Sequence, residues 1–437
     1  MSKATPATAL LPLPAFSPSS RKNDCIVTKL TNVLARTRII LPDRCTNTFS
    51  CRQSQSKGQL SCTLLANLYF LLVFIHAGYY VLEILFGYAS VGRDQSINSL
   101  KNAIFNSRYG IMILRSTILL VFFRYRSKEC MEIAGDVAVE LKQCSHDART
   151  LLCRIIIAMA IILFSFVIAW EVMDFAMWET DFTSTLAQQV EVGLFNQKIP
   201  LWNLLLSWYL LASPVNILMN LAMICLASIV LGLFAAWRLM NGWLIRDKHV
   251  YLLTKFEGDW ERLRKLAERT DDVFSVTLFV ALVGDIACAV GYVGSIVIYG
   301  AGRPLEQIYT TFGLFIHAVW YPAGYIVPCI LFHEEVATTN RLVMSAMEPL
   351  LNNAEESEIT SKTMTHLNLI VSKISYRPEA FTGWKFFFIT RNLVLTISTV
   401  LVSYALIMVQ LIGRKQDVQG VVNLINEKMN ASTGSSL

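Results

Sequence analysis

The sequence predicts an all-α membrane protein with seven transmembrane helices. Of its 437 residues, 54% are hydrophobic and only 16% are charged, and the mean hydropathy is +0.47. Soluble domains average about 25% charged residues, so this composition is typical of a polytopic membrane protein. Long apolar segments also recur along the chain, each at or above the length of about 20 residues that a helix needs to cross the hydrocarbon core.

Seven segments have this length, and an eighth is not apparent. They cover residues 63–86, 103–123, 154–177, 204–236, 273–299, 307–332 and 386–412, and are called spans 1 to 7. The fourth is too long for one perpendicular crossing, so we expect it to tilt or to project beyond the bilayer.

The regions outside the spans divide the chain into three predicted parts. Residues 1–58 are rich in Ser, Thr, Arg and Gln, and prolines interrupt their one short apolar run, so a cleaved secretory signal is not expected. We interpret this part as a disordered cytosolic tail. Residues 59–412 form the receptor-channel domain with all seven spans, and residues 413–437 form a tail that we expect outside the cell.

The distribution of Lys and Arg predicts the orientation. Nine precede span 1, six lie between spans 2 and 3 when Arg154 at the start of span 3 is counted, eight lie between spans 4 and 5, and five between spans 6 and 7. These 28 residues share one side of the membrane, whereas the other side has 8, with Arg108 near the start of span 2 included. Since basic residues are concentrated in cytosolic loops, we expect a cytosolic N-terminus and an extracellular C-terminus.

The predicted cytosolic loops contain helical patterns of their own. Before span 5, Trp260, Leu263, Leu266 and Ala267 recur at helical spacing with charged residues between them. Residues 342–374 show a similar pattern, with an acidic interruption in the middle. We therefore expect the helices to extend into the cytosol and to pack there as an inner anchor region.

Several function classes have no support in the sequence. The ten cysteines are scattered and no cluster of histidines accompanies them, so a metal site is not expected. A phosphate-binding loop, a nucleophile elbow and a zinc-binding His motif are also missing. We expect neither an enzyme nor a cofactor nor a nucleic-acid partner.

Charged residues within the spans are candidates for function, because charge in the bilayer is costly and usually paired or functional. The candidates are Glu83, Arg115, Glu171, Asp174 and Asp285. Arg115 and Asp285 lie at matching depths near the middle of spans 2 and 5. They form either a structural ion pair or part of a ligand cavity.

Aromatic residues are concentrated in the predicted outer half. One interpretation of these residues is a belt of aromatic side chains that anchors the helices at the membrane interface. Aromatic faces beside carboxylates can also hold a polyol, which stacks on the rings and donates its hydroxyls. The candidate ligand-binding residues are Arg115, Trp170, Glu171, Asp174, Trp208, Tyr209, Asp285, Tyr292, Tyr309 and His317.

Span 7 suits the lining of a pore. Thr399, Ser403, Leu406, Ile407 and Gln410 share one helical face at 100° per residue, and Leu411 follows at the predicted outer mouth. Copies of this face around an axis would place aliphatic rings and one amide along an ion path. The alternative is contact between helices through Ser, Thr and Gln.

The end of span 7 resembles the signature of the insect gustatory receptors. That signature consists of Thr-Tyr, five hydrophobic residues and Gln-Phe. The corresponding residues in this chain are Ser403-Tyr404, five apolar residues and Gln410-Leu411. The stretch from Gly383 to Phe387, with Thr390-Arg391, is similar to the sugar-receptor branch in particular.

This resemblance implies a seven-span, tastant-gated, non-selective cation channel of the plasma membrane, with the motif lining the pore. It also implies a homo- or heterotetramer that is embedded in membrane lipid. The outer halves of spans 2 to 6 would form a pocket for a small molecule, either a sugar or another tastant. The alternatives are an odorant-receptor-type channel, a metabotropic receptor, which the charge distribution opposes, and a transporter, for which internal repeats would be expected.

Overall fold

The structure is a computed structural model, which describes residues 57–94, 97–144, 146–185, 189–192, 197–200, 208–246, 252, 254–299, 304–352, 365, 368–373, 380–407 and 410. Of the predicted N-terminal tail, 1–58, all but its last two residues lie outside these ranges, and those two begin a helix; the predicted C-terminal tail, 413–437, lies wholly outside them. The predicted boundaries of the three regions therefore remain predictions.

The described residues are almost entirely helical, as predicted. The helices are α1 (Lys57–Asp94), α2 (Ile97–Tyr125), α3 (Ser127–Leu141), α4 (His146–Thr185), α5 (Ser213–Arg246), α6 (Phe256–Tyr299), α7 (Pro304–Phe315), α8 (Tyr321–Asn352) and α9 (Arg391–Ile407). Single π-helical turns precede α5 at Trp208–Ala212 and join α7 to α8 at Ile316–Trp320. Spans 1, 2, 3 and 5 each lie within one α-helix, and the described part of span 4 combines a π-helical turn with α5. Span 6 runs through α7, the second π-helical turn and α8. The helix of span 7 begins at Arg391, later than the predicted residue 386, because a short β-hairpin ending at Phe388 occupies the start of the predicted span.

Five of the described helical segments are long and apolar enough to cross a membrane, and α9 is a shorter apolar helix. They belong to spans 1, 3, 4, 5 and 6. The helix of span 2 falls outside this set because Arg108, Arg115 and Arg124 lie along its described part. The chain is thus a multi-pass membrane protein in which span 2 carries an unusual amount of positive charge.

The helices extend beyond the spans at one end, as the periodicity predicted. Helix α6 continues without a break from Phe256 to Tyr299, and Trp260, Leu263 and Leu266 on its first turns are buried in the largest hydrophobic core. Helix α3 contributes Ile133 and Val137 to the same core. A second, smaller aromatic core lies at the opposite end of the bundle, around Trp170 and Tyr309.

Two short hairpins were not predicted. In the first, β1 (Gln189–Val192) pairs with β2 (Gln197–Pro200); in the second, β3 (Thr382–Gly383) pairs with β4 (Phe387–Phe388) immediately before α9. Gly383 is required sterically, because a Cβ atom there would lie 2.3 Å from the ring of Phe387. Trp384 and Lys385 follow with φ angles of 47° and 62°.

Candidate functional site

A buried carboxylate joins three of the spans. Asp285 on α6 accepts a hydrogen bond from a terminal nitrogen of Arg115 on α2 at 3.0 Å, and both side chains are almost fully buried. Tyr325 on α8 donates its hydroxyl to the same carboxylate oxygen at 2.9 Å, and His317 Nδ1 lies 3.2 Å from the other oxygen. The structure thus brings Arg115 and Asp285 into the ion pair that their matching depths allowed.

An aromatic cluster covers this charge cluster on one side. Trp170 on α4 is 1% exposed and stacks on Tyr309 with ring centroids 4.7 Å apart. Tyr309 shares a hydrogen bond with the hydroxyl of Tyr109 at 2.6 Å. Tyr292 meets Trp170 edge to face and stacks on His317, with 5.6 Å between the latter pair of centroids. Four of the predicted ligand residues are therefore packed against one another.

Arg108 is a further buried charge that the sequence analysis did not single out. Its guanidinium carbon lies 4.6 Å from the ring centroid of Tyr292, a distance at which a cation is attracted to the ring face. Arg108 and Arg115 are seven residues apart on α2, and the glycines that they pack against, Gly291 and Gly284, are seven residues apart on α6. A Cβ atom at either glycine would approach the arginine stem to 2.7 Å. Matched spacing of Arg and Gly in the two spans was the signal that could have revealed this contact.

Four predicted ligand residues remain. Two of them, Glu171 and Tyr209, have described side chains, and two do not. Glu171 is half-buried on α4, next to Trp170. Tyr209 is half-buried in the π-helical turn that precedes α5. Asp174 and Trp208 lie in helical backbone, and their side chains are outside the described part of the chain, as is that of Glu83.

The space beside the cluster is small. A cavity of about 10 Å³ is lined by residues of spans 2, 3, 4 and 6, among them Arg115, Asn220, Tyr321 and Tyr325. This volume suffices for about one water molecule, whereas pockets for small ligands measure about 300–1,000 Å³. A sugar can enter only if the surrounding side chains move apart.

The predicted pore face of span 7 makes few contacts with the rest of the chain. Thr399, Ser403, Leu406, Ile407 and Gln410 are all exposed, and Leu411 lies outside the described residues. Leu393 and Ile397, which are half-buried, pack α9 on the core and are centred about 115° around the helix from this face. Thr399 donates its hydroxyl to the carbonyl of Leu395 at 2.9 Å, as helical threonines do. The face is thus available to another subunit, to lipid or to water.

Comparisons with known proteins agree on the kind of molecule. Residues 362–420 match the family model described as trehalose receptor, a segment that includes all of α9. The fold is similar to that of the insect olfactory receptor OR5 from Machilis hrabei, with a TM-score of 0.55, 13% identity, and coverage of 88% of this chain and 97% of that one. The same receptor in complex with eugenol matches with a TM-score of 0.55 and 14% identity. No curated protein sequence matches the chain.

The predicted resemblance to the insect gustatory receptors is confirmed. The family match covers the last span and its approach, where the sequence motif lies, and the structural match shows the fold of the solved olfactory receptor over most of the chain. At 13–14% identity the structural match shows the fold alone.

Proposed function

We propose that this protein is a sugar-gated cation channel of the plasma membrane, with span 7 lining the pore of a tetramer. The trehalose-receptor match over residues 362–420 carries the proposal, because it covers the helix that would conduct ions and its approach. The ligand would bind in spans 2 to 6, at the charge cluster around Asp285 and the aromatic cluster around Trp170. Its binding would stabilise an open arrangement of the helices relative to a closed one.

The chemistry of the two clusters supports a polyhydroxylated ligand. Sugar rings stack on aromatic faces, which Trp170, Tyr292 and Tyr309 supply, and sugar hydroxyls exchange hydrogen bonds with buried charged groups. Arg115 Nη1 is buried and makes no hydrogen bond within the described chain, so it retains a donor for a ligand oxygen. Opening the small cavity beside it would expose that donor.

The exposed face of α9 supports the pore. Four copies of Thr399, Ser403 and Gln410 would supply oxygens to a passing cation, while Leu406 and Ile407 would close the path by excluding water. The half-buried face of α9, with Leu393 and Ile397, would hold each copy against its own subunit.

A panel of ligands tests the function. Cells that express the protein with a calcium indicator would receive trehalose, sucrose, glucose, fructose, a bitter alkaloid and eugenol. We expect calcium entry with trehalose or another sugar. A response to eugenol alone would favour an odorant-receptor-type channel, because the solved olfactory receptor was captured with that volatile. Responses that require a G protein and carry no direct current would favour a metabotropic receptor.

The proposed orientation has its own test. The excess of 28 basic residues over 8 places the N-terminus in the cytosol and, after seven crossings, the C-terminus outside. An epitope tag at the C-terminus should be labelled by antibody on intact cells, and a tag at the N-terminus only after permeabilisation. Labelling of the N-terminal tag on intact cells would reverse the orientation.

Gln410→Glu should increase the permeability of the channel to calcium relative to sodium. A ring of carboxylates adds attraction of about 1 kcal/mol per charge at a distance of about 4 Å in a watery pore, which corresponds to about a fivefold effect. Reversal potentials in mixed solutions measure the permeability ratio. Gln419→Glu makes the same change in the C-terminal tail and should behave like the wild type. An unchanged ratio in Gln410→Glu at normal surface level would place Gln410 outside the pore.

A further inference from the structure

The approach to span 7 is a strained hairpin. Gly383 O accepts a hydrogen bond from Phe386 N at 2.9 Å, and the two residues between them, Trp384 and Lys385, both have positive φ. This is the pattern of a type I′ turn, in which Gly and Asn are the favoured residues. Bulky side chains persist in that backbone conformation only where the surroundings hold them, and such positions are concentrated at sites that switch or bind.

The carboxylate of Asp271, on α6 just before span 5, makes several contacts with the hairpin. Asp271 on α6 accepts hydrogen bonds from the backbone N–H of Thr382 at 2.7 Å and from the hydroxyl of Thr382 at 2.9 Å. Lys385 donates to the same carboxylate, and also lies 2.9 Å from Asp272. Burial disfavours the charge of the Lys385 ammonium, but these bonds outweigh that effect and raise the pKa of Lys385.

Further contacts fix the two ends of the hairpin. Trp384 donates its backbone N–H to the carbonyl of Ser275 on α6 at 2.9 Å. Phe381 and Ile389, just before and just after the strands, are 1% and 0% exposed in the main core. Arg391, the first residue of α9, pairs with Glu334 on α8. The inner end of the pore helix is therefore held by spans 5 and 6.

The same helix carries both the hairpin contact and the buried carboxylate of the candidate ligand site. Asp271 and Asp285 are 14 residues apart on the unbroken helix α6, which is about 21 Å at 1.5 Å per residue. At 100° per residue they lie within about 40° of the same face. If α6 moves as a rigid helix, a displacement at Asp285 also displaces Asp271 and, through the hydrogen bonds of Asp271, Thr382.

We propose that Asp271 and Thr382 form the joint through which span 5 moves the inner end of span 7. This inference rests on the proposed function, because the movement matters only if span 7 lines a ligand-gated pore. Asp271 and Thr382 are positioning residues: they contact neither the ligand cluster nor the pore face, and they transmit displacement between the two.

Currents evoked by trehalose, normalised to the number of receptors at the cell surface, test the joint. Thr382→Val keeps the shape of the side chain and the backbone bond but removes the hydroxyl, and Asp271→Asn removes the charge. Each variant should lower the evoked current per surface receptor about tenfold, which corresponds to the loss of a hydrogen bond to a charged group. Glu268→Gln is the matched control, because Glu268 lies one turn away on α6 and pairs with Arg264 instead of the hairpin. It should respond like the wild type.

The outcomes separate the joint from simple stability and from the proposed function. A residue that only stabilises the fold changes the surface level, and the current per surface receptor stays constant. If Thr382→Val reaches the surface and responds to trehalose as the wild type does, the joint is wrong even if Asp271→Asn fails to fold. If the wild type itself carries no current with trehalose or any other sugar, the proposed function fails and the joint fails with it.

Discussion

Asp285→Asn is expected to remove most of the receptor from the cell surface. The substitution removes the negative charge that faces Arg115 in a site where both side chains are at most 1% exposed. Removing one partner of a buried ion pair costs about 3–5 kcal/mol, because the other charge remains buried without compensation. His317 and Tyr325 would also lose the carboxylate that they contact. Surface biotinylation and the thermal midpoint of the purified protein measure the loss.

A second substitution distinguishes the ion pair from a general loss of packing. Arg115→Gln in the same chain as Asp285→Asn removes the stranded charge, so it should restore part of the surface level. Glu257→Gln is the control on the same helix, since Glu257 forms an exposed pair with Lys373, of a kind worth about 0–1 kcal/mol. If the surface level of the double variant is no higher than that of Asp285→Asn, the uncompensated charge of Arg115 is not the cause of the loss from the surface.

Trp170→Ala is expected to destabilise the receptor by about 3–5 kcal/mol, the usual cost of deleting a buried Trp side chain. The indole is 1% exposed and contacts Tyr309 and Tyr292, so its removal leaves a cavity between spans 3, 5 and 6. The same helix offers a control in Val172→Ala, because Val172 is 61% exposed. The thermal midpoint should fall strongly for the first variant and little for the second.

Trp170→Phe then tests whether the ring also meets the ligand. It retains an aromatic face in the cluster, so we expect surface expression to survive while the trehalose concentration for half-maximal response rises. Should that concentration stay constant in a well-expressed Trp170→Phe receptor, Trp170 would be a core residue alone. The pocket would then have to be sought closer to Tyr209 and the half-buried Glu171.

Much of the fold could be predicted because the bilayer imposes length and composition on each crossing. The seven spans follow from runs of about 20 apolar residues, and the extension of α6 beyond span 5 follows from the spacing of Trp260, Leu263 and Leu266. The depths of Arg115 and Asp285 in their spans were enough to suggest a contact, because an unpaired charge at that depth is expensive.

Other features depend on packing that a single sequence does not display. The hairpin before α9 places Trp384 and Lys385 in a turn that favours Gly and Asn, so turn propensities gave no signal there. The size of the cavity beside Arg115 depends on how the side chains of four helices, α2, α4, α5 and α8, pack together. Periodicity places Thr399, Ser403 and Gln410 on one side of α9, but residues on other sides, such as Leu395 and Val402, are exposed as well. The assignment of one face to a pore therefore requires copies of the chain.

Recording from the purified protein in a planar bilayer tests the central claim most directly, because no other cellular component is present. The account predicts a cation current when trehalose is added on the side of the C-terminus, with an increased calcium permeability in Gln410→Glu and a loss of about tenfold in Thr382→Val. A purified, folded receptor that binds trehalose but passes no current, or a current that Gln410→Glu leaves unchanged in selectivity, would contradict a sugar-gated pore lined by span 7.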